Sequence, residues 1–449
     1  MSAFAFGAWM GRRLGGATGS CGGARDSELC GAARALSRSR QSLLVWAVAF
    51  ALTLHSLPSG ASNGGSANLV VRVAGGARND GIRHAAREPA NPRETTSDGF
   101  TIATAPYEYR WPRDQAAHPG YQTEWWYYTG HLRAKGRRFG FELTFFRIGL
   151  RPGDPRPAAG QSRWRGHELY PAHFAITDEQ GQTFFHEERV AREALGMGSA
   201  STQGLDVKSG AWYVRGAPLP GRPDLERMTL HASASTERGT DALELVAVPL
   251  KRPAVHGERG VSRKAACPSC ASHYYSYTRL QANGTLVFDG VRYPVEGMAW
   301  MDHEFGSGEL QPDQAGWDWF SIQLDDGREL MLYQLREKDG SVTPQSSGSL
   351  VARDGSVRHL PLAGFTIEAV GRWTSPHTSA EYPSAWHVRV PSAGIDLALR
   401  PAVADQELAE TSGTSYWEGA VDAFDAARPA RRLGAGYVEL TGYASPISL

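Results

Sequence analysis

The sequence predicts an all-β protein built as two consecutive domains packed together. Three observations predict it. The 449 residues include 13 tryptophans and 51 glycines, a mix that suits aromatic-lined sheets joined by many tight turns. Amphipathic helical patterns are scarce, the best lying near Ala402–Glu410. A strand–turn–strand plan also occurs twice. Trp317 to Leu324, the turn Asp325-Asp326-Gly327 and Glu329 to Arg336 repeat an earlier hairpin. There the Trp125 strand turns at Lys135-Gly136 into a strand alternating Phe139, Phe141, Leu143 and Phe145 with Gly140, Glu142 and Thr144. Laying Leu132 over Leu324 puts Trp125 over Trp317, Tyr127 over Trp319, Tyr128 over Phe320 and Thr129 over Ser321, an offset of 192 residues (317 minus 125). Such an offset suggests a duplicated domain.

In chain order, residues 1–61 read as a secretory signal with a long basic leader. The apolar run Leu43–Leu54 follows Arg34, Arg38 and Arg40 and precedes Ser59-Gly60-Ala61, a small-residue exit. The run is short for a membrane span, so a periplasmic or secreted protein beginning near Ser62 is expected, with a retained anchor as the alternative. Residues 62–106, rich in Gly, Ala, Ser, Asn and Arg, read as a disordered linker. The two domains then occupy residues 107–295 and 296–449. Cys267-Pro268-Ser269-Cys270 is either a small disulfide-closed loop in an oxidising compartment or a pair of idle thiols. Cys21 and Cys30 lie ahead of the apolar run. Lys+Arg and Asp+Glu both number 47, so nothing points to a nucleic-acid partner. An apolar small molecule is the expected partner, membrane-surface proximity is allowed, and the oligomeric state is left open.

The most unusual string is Glu124-Trp125-Trp126-Tyr127-Tyr128-Thr129-Gly130-His131-Leu132. A half-buried strand alternates apolar and polar residues, whereas here both faces carry rings. One face therefore meets a core and the other a second apolar space, such as a ligand cavity. Burial on both sides without a cavity is the plainer alternative. A second cluster runs Ala299-Trp300-Met301-Asp302-His303-Glu304-Phe305-Gly306-Ser307, followed by Gly316-Trp317-Asp318-Trp319-Phe320. A third comprises Tyr416-Trp417-Glu418-Gly419 and Gly436-Tyr437-Val438-Glu439-Leu440-Thr441-Gly442-Tyr443. Familiar catalytic motifs are missing. There is no H-E-x-x-H, no P-loop and no G-x-G-x-x-G, and G-x-S-x-G occurs only at Gly60-Ala61-Ser62-Asn63-Gly64, at the junction of the expected signal and linker, where no strand–helix elbow is expected.

These three blocks, with Lys264 and Ser272-His273-Tyr274-Tyr275-Ser276 between them, resemble the AttH / carotenoid 1,2-hydratase family of bacterial secreted proteins. The resemblance spans roughly Trp111 to Tyr443. It implies a pair of lipocalin-like β-barrels and the addition of water to the terminal double bond of acyclic carotenoids. Export argues against the strict carotenoid role, since such pigments are built at the cytoplasmic membrane.

Hydration of an isolated alkene needs a positioned acid, aromatic faces for a tertiary carbocation and a dry tunnel. Asp302 is the candidate acid, with His303 or Glu304 orienting water. In an extended strand Asp302 and Glu304 share one face and His303 the other. Trp317 and Trp319 are the cation-facing rings. Trp125, Tyr127, Tyr274, Tyr275, Asp318, Tyr416 and Trp417 complete the expected substrate wall. Glu124 or Glu418 could replace Glu304 as the second carboxylate. A structural ion-pair node with Arg336 or Lys264 is the plainer reading of the Asp302–Glu304 segment. No second histidine has ligand spacing there, so no metal and no cofactor is expected. His118, His256 and His273 read as satisfied structural histidines. Two rival functions stand beside hydration: a non-catalytic carrier of an apolar or lipid ligand, and a cyclase or isomerase of a polyene-like compound.

Overall fold

Alternation along the aromatic strands decides the architecture. In this computed structural model, residues 94–152, 166–308, 310–409 and 414–445 are described. The leader, the apolar run and most of the linker lie outside them. Along Thr123–Ala134, Trp126, Tyr128 and Leu132 enter one hydrophobic core, while Trp125 and Tyr127 enter another cluster. Side chains alternate with period two, so the doubled aromatics serve two apolar spaces.

Among the described residues the chain is almost entirely strand, with helix confined to four three-residue 3₁₀ turns. Two antiparallel sheets result, of 13 and 10 strands. The larger runs from Thr183–Arg192 through Glu168–Asp178, Arg137–Gly149, Thr123–Ala134, Val291–Gly306, Ala271–Phe288, Gly239–Pro249, Arg222–Thr236, Trp212–Leu219 and Asp206–Ser209 to Gly198–Ala200. It curls nearly into a barrel, and Ser209 Oγ donates across the gap to Tyr170 O at 2.7 Å. The smaller runs from Val357–Pro361 through Ser347–Val351, Glu329–Glu337, Gln314–Leu324, Arg428–Leu440, Tyr416–Asp425, Ile395–Pro401 and Glu381–Val390 to Thr366–Thr374. Its two edge strands are consecutive in sequence, joined by Leu362–Gly364.

Both sheets follow one plan. The Trp125 strand lies between its hairpin mate and the last strand of its sheet, and the Trp317 strand does the same. The first hairpin closes at Lys135 and Gly136, with φ of 47° and 82°, the paired positive values that match strand twist. Each sheet fills its own interior, the larger with Trp126, Phe141 and Trp212 among others, the smaller with Phe320, Trp386 and Trp417.

Three expectations change. Val291–Gly306 pairs with both Thr123–Ala134 and Ala271–Phe288, so residues 296–306 belong to the first sheet rather than the second. The helical pattern expected near Ala402–Glu410 gives no helix over its described residues, 402–409. Glu407–Leu408 pairs with Trp417 and Tyr416, and Ala402 N–H donates to Ala420 O. The tail of the expected linker is ordered. Thr95 bridges Thr101 and Phe100 is buried, its ring lying against Gly149, where an added Cβ would come within 2.8 Å. Cys267 and Cys270 form a disulfide. No helix among the described residues is long and apolar enough to cross a membrane.

Candidate active site

The two sheets meet face to face, and the cavity lies between them rather than inside either one. Register builds its walls. On the larger sheet Tyr127, Asp302 and Ser276 are cross-strand neighbours, and so are Trp125, Glu304 and Tyr274. On the smaller sheet Trp319 stands between Tyr333 and Glu439, with Trp317 beside Leu335. Together with Phe146, Ile148, Leu310 and Tyr416 these residues, Ser276 apart, enclose about 130 Å³. A larger open groove of about 440 Å³ passes His186, Arg238 and His377, but none of the expected site residues faces it.

Asp302 is the best-defined polar group in this wall, 3 % exposed. Tyr274 Oη donates to its Oδ2 at 2.5 Å, and Trp300 Nε1 donates to Oδ1 at 2.6 Å, where Ser276 Oγ also donates. Burial pushes its carboxyl up to about 7, and the three donors limit the rise. Trp319 Nε1 donates in turn to Tyr274 Oη at 2.9 Å. Behind Ser276, His256 lies 2.6 Å away and also contacts Ser349 Oγ at 2.9 Å. Burial lowers His256 to about 3. The ring is therefore neutral, with its Nε2–H donating to Ser276 and Nδ1 accepting from Ser349. His256 thus has a place in the site's supporting bonds.

The second carboxylate of the segment has a different fate. Lys264 Nζ lies 2.6 Å from Glu304 Oε1, which also accepts from Ser272 Oγ. The ion pair expected as the plainer reading exists, on Glu304 and not on Asp302. Across the cavity Glu439 Oε2 accepts from Trp317 Nε1 at 3.0 Å, and Tyr127 Oη donates to Glu418 Oε1 at 2.7 Å. Burial pushes Glu439 up to about 8, against the opposing Trp317 bond, and raises Glu418 well above the carboxylate range with help from Glu439 and Glu142.

Trp125, Tyr127, Tyr274, Asp302, Glu304, Trp317, Trp319 and Tyr416 are brought together as expected, with Glu418 just behind Tyr127. Five expected residues point elsewhere, each because it occupies the other phase of its strand. His303 enters the larger sheet's interior, stacked on Trp126, with Nδ1 2.9 Å from Tyr275 Oη and Nε2 2.8 Å from Glu124 Oε1. It cannot orient water at Asp302. Tyr275 and Glu124 are its partners there and do not touch the cavity. Asp318 pairs with Arg336 at 2.8 Å and with Tyr443, away from the cavity. Trp417 packs into the smaller sheet's core. Glu439, Phe146 and Leu335 were not expected. Glu439 carried a signal, a carboxylate between Val438 and Leu440 in the otherwise uncharged stretch Leu433–Leu440.

Among the described residues, one cluster has ligand atoms close enough to meet at a single ion: His118, Glu124 and His303, within 4.8 Å of one another. The bonds already present account for it. Arg147 Nε donates to Glu124 Oε2 at 2.8 Å, and Arg147 also pairs with Glu168 and donates to the carbonyls of His118 and Tyr121. Burial opposes ionisation of Glu124, yet the charges on His118 and Arg147 hold it well below the usual range. Arg147 thus supplies the positive charge an ion would bring.

Comparison with known proteins bears on the family and the fold. The AttH-like family matches residues 102–443. A crystal structure of an AttH protein from Nitrosomonas europaea is 31% identical and superposes with a TM-score of 0.66, covering 77% of this chain and all of that one. Kievitone hydratase from Nectria haematococca shares the fold at 12% identity and a TM-score of 0.55, over 79% of this chain and 98% of its own. No curated protein sequence matches the chain.

Proposed function

Because the chain belongs to the AttH-like family, we propose that it is a hydro-lyase, adding water to an isolated double bond at the end of an apolar isoprenoid. The observation that carries this reading is Asp302, a carboxyl poised near 7 on the wall of an apolar cavity. An acid with that value is populated in both forms near neutral pH, as general acid catalysis requires. Oδ1 already accepts two hydrogen bonds and Oδ2 one, so the transferable proton belongs on Oδ2. Once the proton leaves, the three donors stabilise the carboxylate that forms. The indole rings of Trp317 and Trp319 and the phenol of Tyr127 supply π faces to a developing carbocation.

A cavity of about 130 Å³ is below the roughly 300–1,000 Å³ of sites that enclose a drug-sized ligand. It suits the reacting end of a long chain, the remainder lying outside. The name of kievitone hydratase favours water addition among the activities this fold allows. The Leu43–Leu54 run and the Cys267–Cys270 disulfide support action outside the cytoplasm. The test is incubation with lycopene, following tryptophan fluorescence and product mass. Quenching with the gain of one water supports hydration. Quenching without turnover makes the protein a carrier, and a product of unchanged mass makes it an isomerase or cyclase.

A further inference from the structure

A second carboxyl system faces Asp302, and its geometry is unusual for a structural one. Glu418 and Glu439 are directly opposed on the Tyr416–Asp425 and Arg428–Leu440 strands. Both point into the space between the sheets. Like charges at opposed positions repel, and among the described residues neither forms an ion pair. Around them, on both sheets, are polar atoms with no hydrogen bond. Glu418 Oε2, both carboxyl oxygens of Glu142 and Thr144 Oγ1 are buried and unmatched. Thr144 lies close enough to Glu142 to favour its ionised form without completing a bond of normal geometry, and Thr144 lines the cavity. Buried polar atoms are normally matched by protein or by water, so the end of the cavity at Thr144 and Glu439 offers partners to a water.

We propose that Glu439, sharing one proton with Glu418 across the strand pair, is the base that holds and deprotonates the attacking water, making it a second catalytic residue opposite Asp302. The proposal rests on the hydration reading and deepens it. Two tryptophans of one strand divide the work: Trp317 Nε1 bonds Glu439, and Trp319 Nε1 bonds Tyr274 beside Asp302. The π pair of the alkene takes the Asp302 proton, forming a C–H bond and leaving the other carbon cationic and Asp302 ionised. A water lone pair forms the C–O bond, and the proton released passes to the ionised member of the Glu418–Glu439 pair. Return of one proton to Asp302 through water restores the start, so H and OH are added with no oxidant or reductant. Other charged or titratable groups near Glu439 are Asp302 and Glu304 on Val291–Gly306, Glu142 on Arg137–Gly149, His173 on Glu168–Asp178, Lys264, Tyr127, Tyr274 and Tyr416. Burial and the carboxylates of Glu142, Asp302 and Glu304 favour a proton on this pair.

The experiment compares wild type, Asp302→Asn, Glu439→Gln and Glu418→Gln in D₂O with lycopene. It scores hydrated product, deuterium in recovered polyene and the infrared band of protonated carboxyls. Glu439→Gln should lose hydration by about 100-fold or more yet still place deuterium in the polyene, because Asp302 still protonates it. Asp302→Asn should lose both. Glu439→Gln hydrating at the wild-type rate while Asp302→Asn is inactive overturns the base role and spares the hydration reading. A wild type that neither hydrates nor exchanges overturns the hydration reading and the base role with it. Proton sharing is read separately: each Gln substitution should change the infrared titration of the remaining partner, and an unchanged titration overturns the pair. If Glu439→Gln fails to fold, Glu439→Asp keeps the charge and should slow hydration while retaining exchange.

Discussion

Replacing Arg147 with methionine tests whether the His118–Glu124–His303 cluster is scaffold. The Arg147 side chain is 1 % exposed and bonds Glu124 and Glu168, both at 2.8 Å, and two backbone carbonyls. Methionine fills much of the volume but strands two buried carboxylates. Breaking a buried pair in this way costs about 3–5 kcal/mol, and a domain of this size loses about 2–4 °C of midpoint per kcal/mol. The thermal midpoint should therefore fall by roughly 6–20 °C at neutral pH. The sign with pH follows from Glu124. Its folded pKa is depressed, so it stabilises above its unfolded value and that stability is lost as pH falls. Removing Arg147 weakens the depression, so the deficit should be largest near neutrality and shrink in acid. Protein still folded at low temperature should keep its activity. The assay is calorimetry from pH 4 to 8, with and without added zinc. A midpoint within about 2 °C of wild type, or a large rise with zinc in the wild type, would refute the reasoning.

Three further outcomes are expected. Hydration needs Asp302 protonated and Glu439 ionised, and burial sets them at about 7 and about 8, so turnover should follow a bell that peaks between those values and falls on either side; a pH–rate profile flat from 6 to 9 contradicts this. Trp319→Phe keeps a ring in the wall but removes the N–H held by Tyr274, and at about 0.5–1.5 kcal/mol for a neutral hydrogen bond should cut kcat roughly 2- to 12-fold while KM stays within about twofold. Gly130→Ala places a Cβ 2.5 Å from Met298 O and 2.7 Å from the Phe141 ring; overpacking of this kind costs about 1–3 kcal/mol, measurable by urea denaturation.

Much of this was readable from residue order because it depends on local pattern. The two aromatic hairpins fall where alternation and their turns place them. The two-faced character of Trp125–Tyr128 follows from rings too numerous for one core. What the sequence hid was phase and partner. His303 sits between two site carboxylates in the chain, and only the pleat sends it to the opposite side. Glu124 looked like a cavity group until its partner was visible: Arg147, 23 positions away, balances its charge. Glu439 acts across from a segment over a hundred residues distant, and no spacing announces that meeting. Chain proximity also joined residues 296–306 to the wrong half, since long-range pairing to Thr123–Ala134 decides their sheet.

The most direct test of the central claim pairs two measurements on Asp302→Asn, turnover on lycopene and thermal midpoint. Asp302 is held by neutral donors only, Tyr274, Trp300 and Ser276, so the neutral amide strands no buried cation. Its oxygen still accepts the Oδ1 bonds, and Tyr274 can turn to accept from the new N–H. The expected result is a midpoint within a few degrees of wild type, unchanged tryptophan quenching by the polyene, and turnover reduced about 100-fold or more. A fully active Asn variant, or one that unfolds many degrees early, would contradict the account.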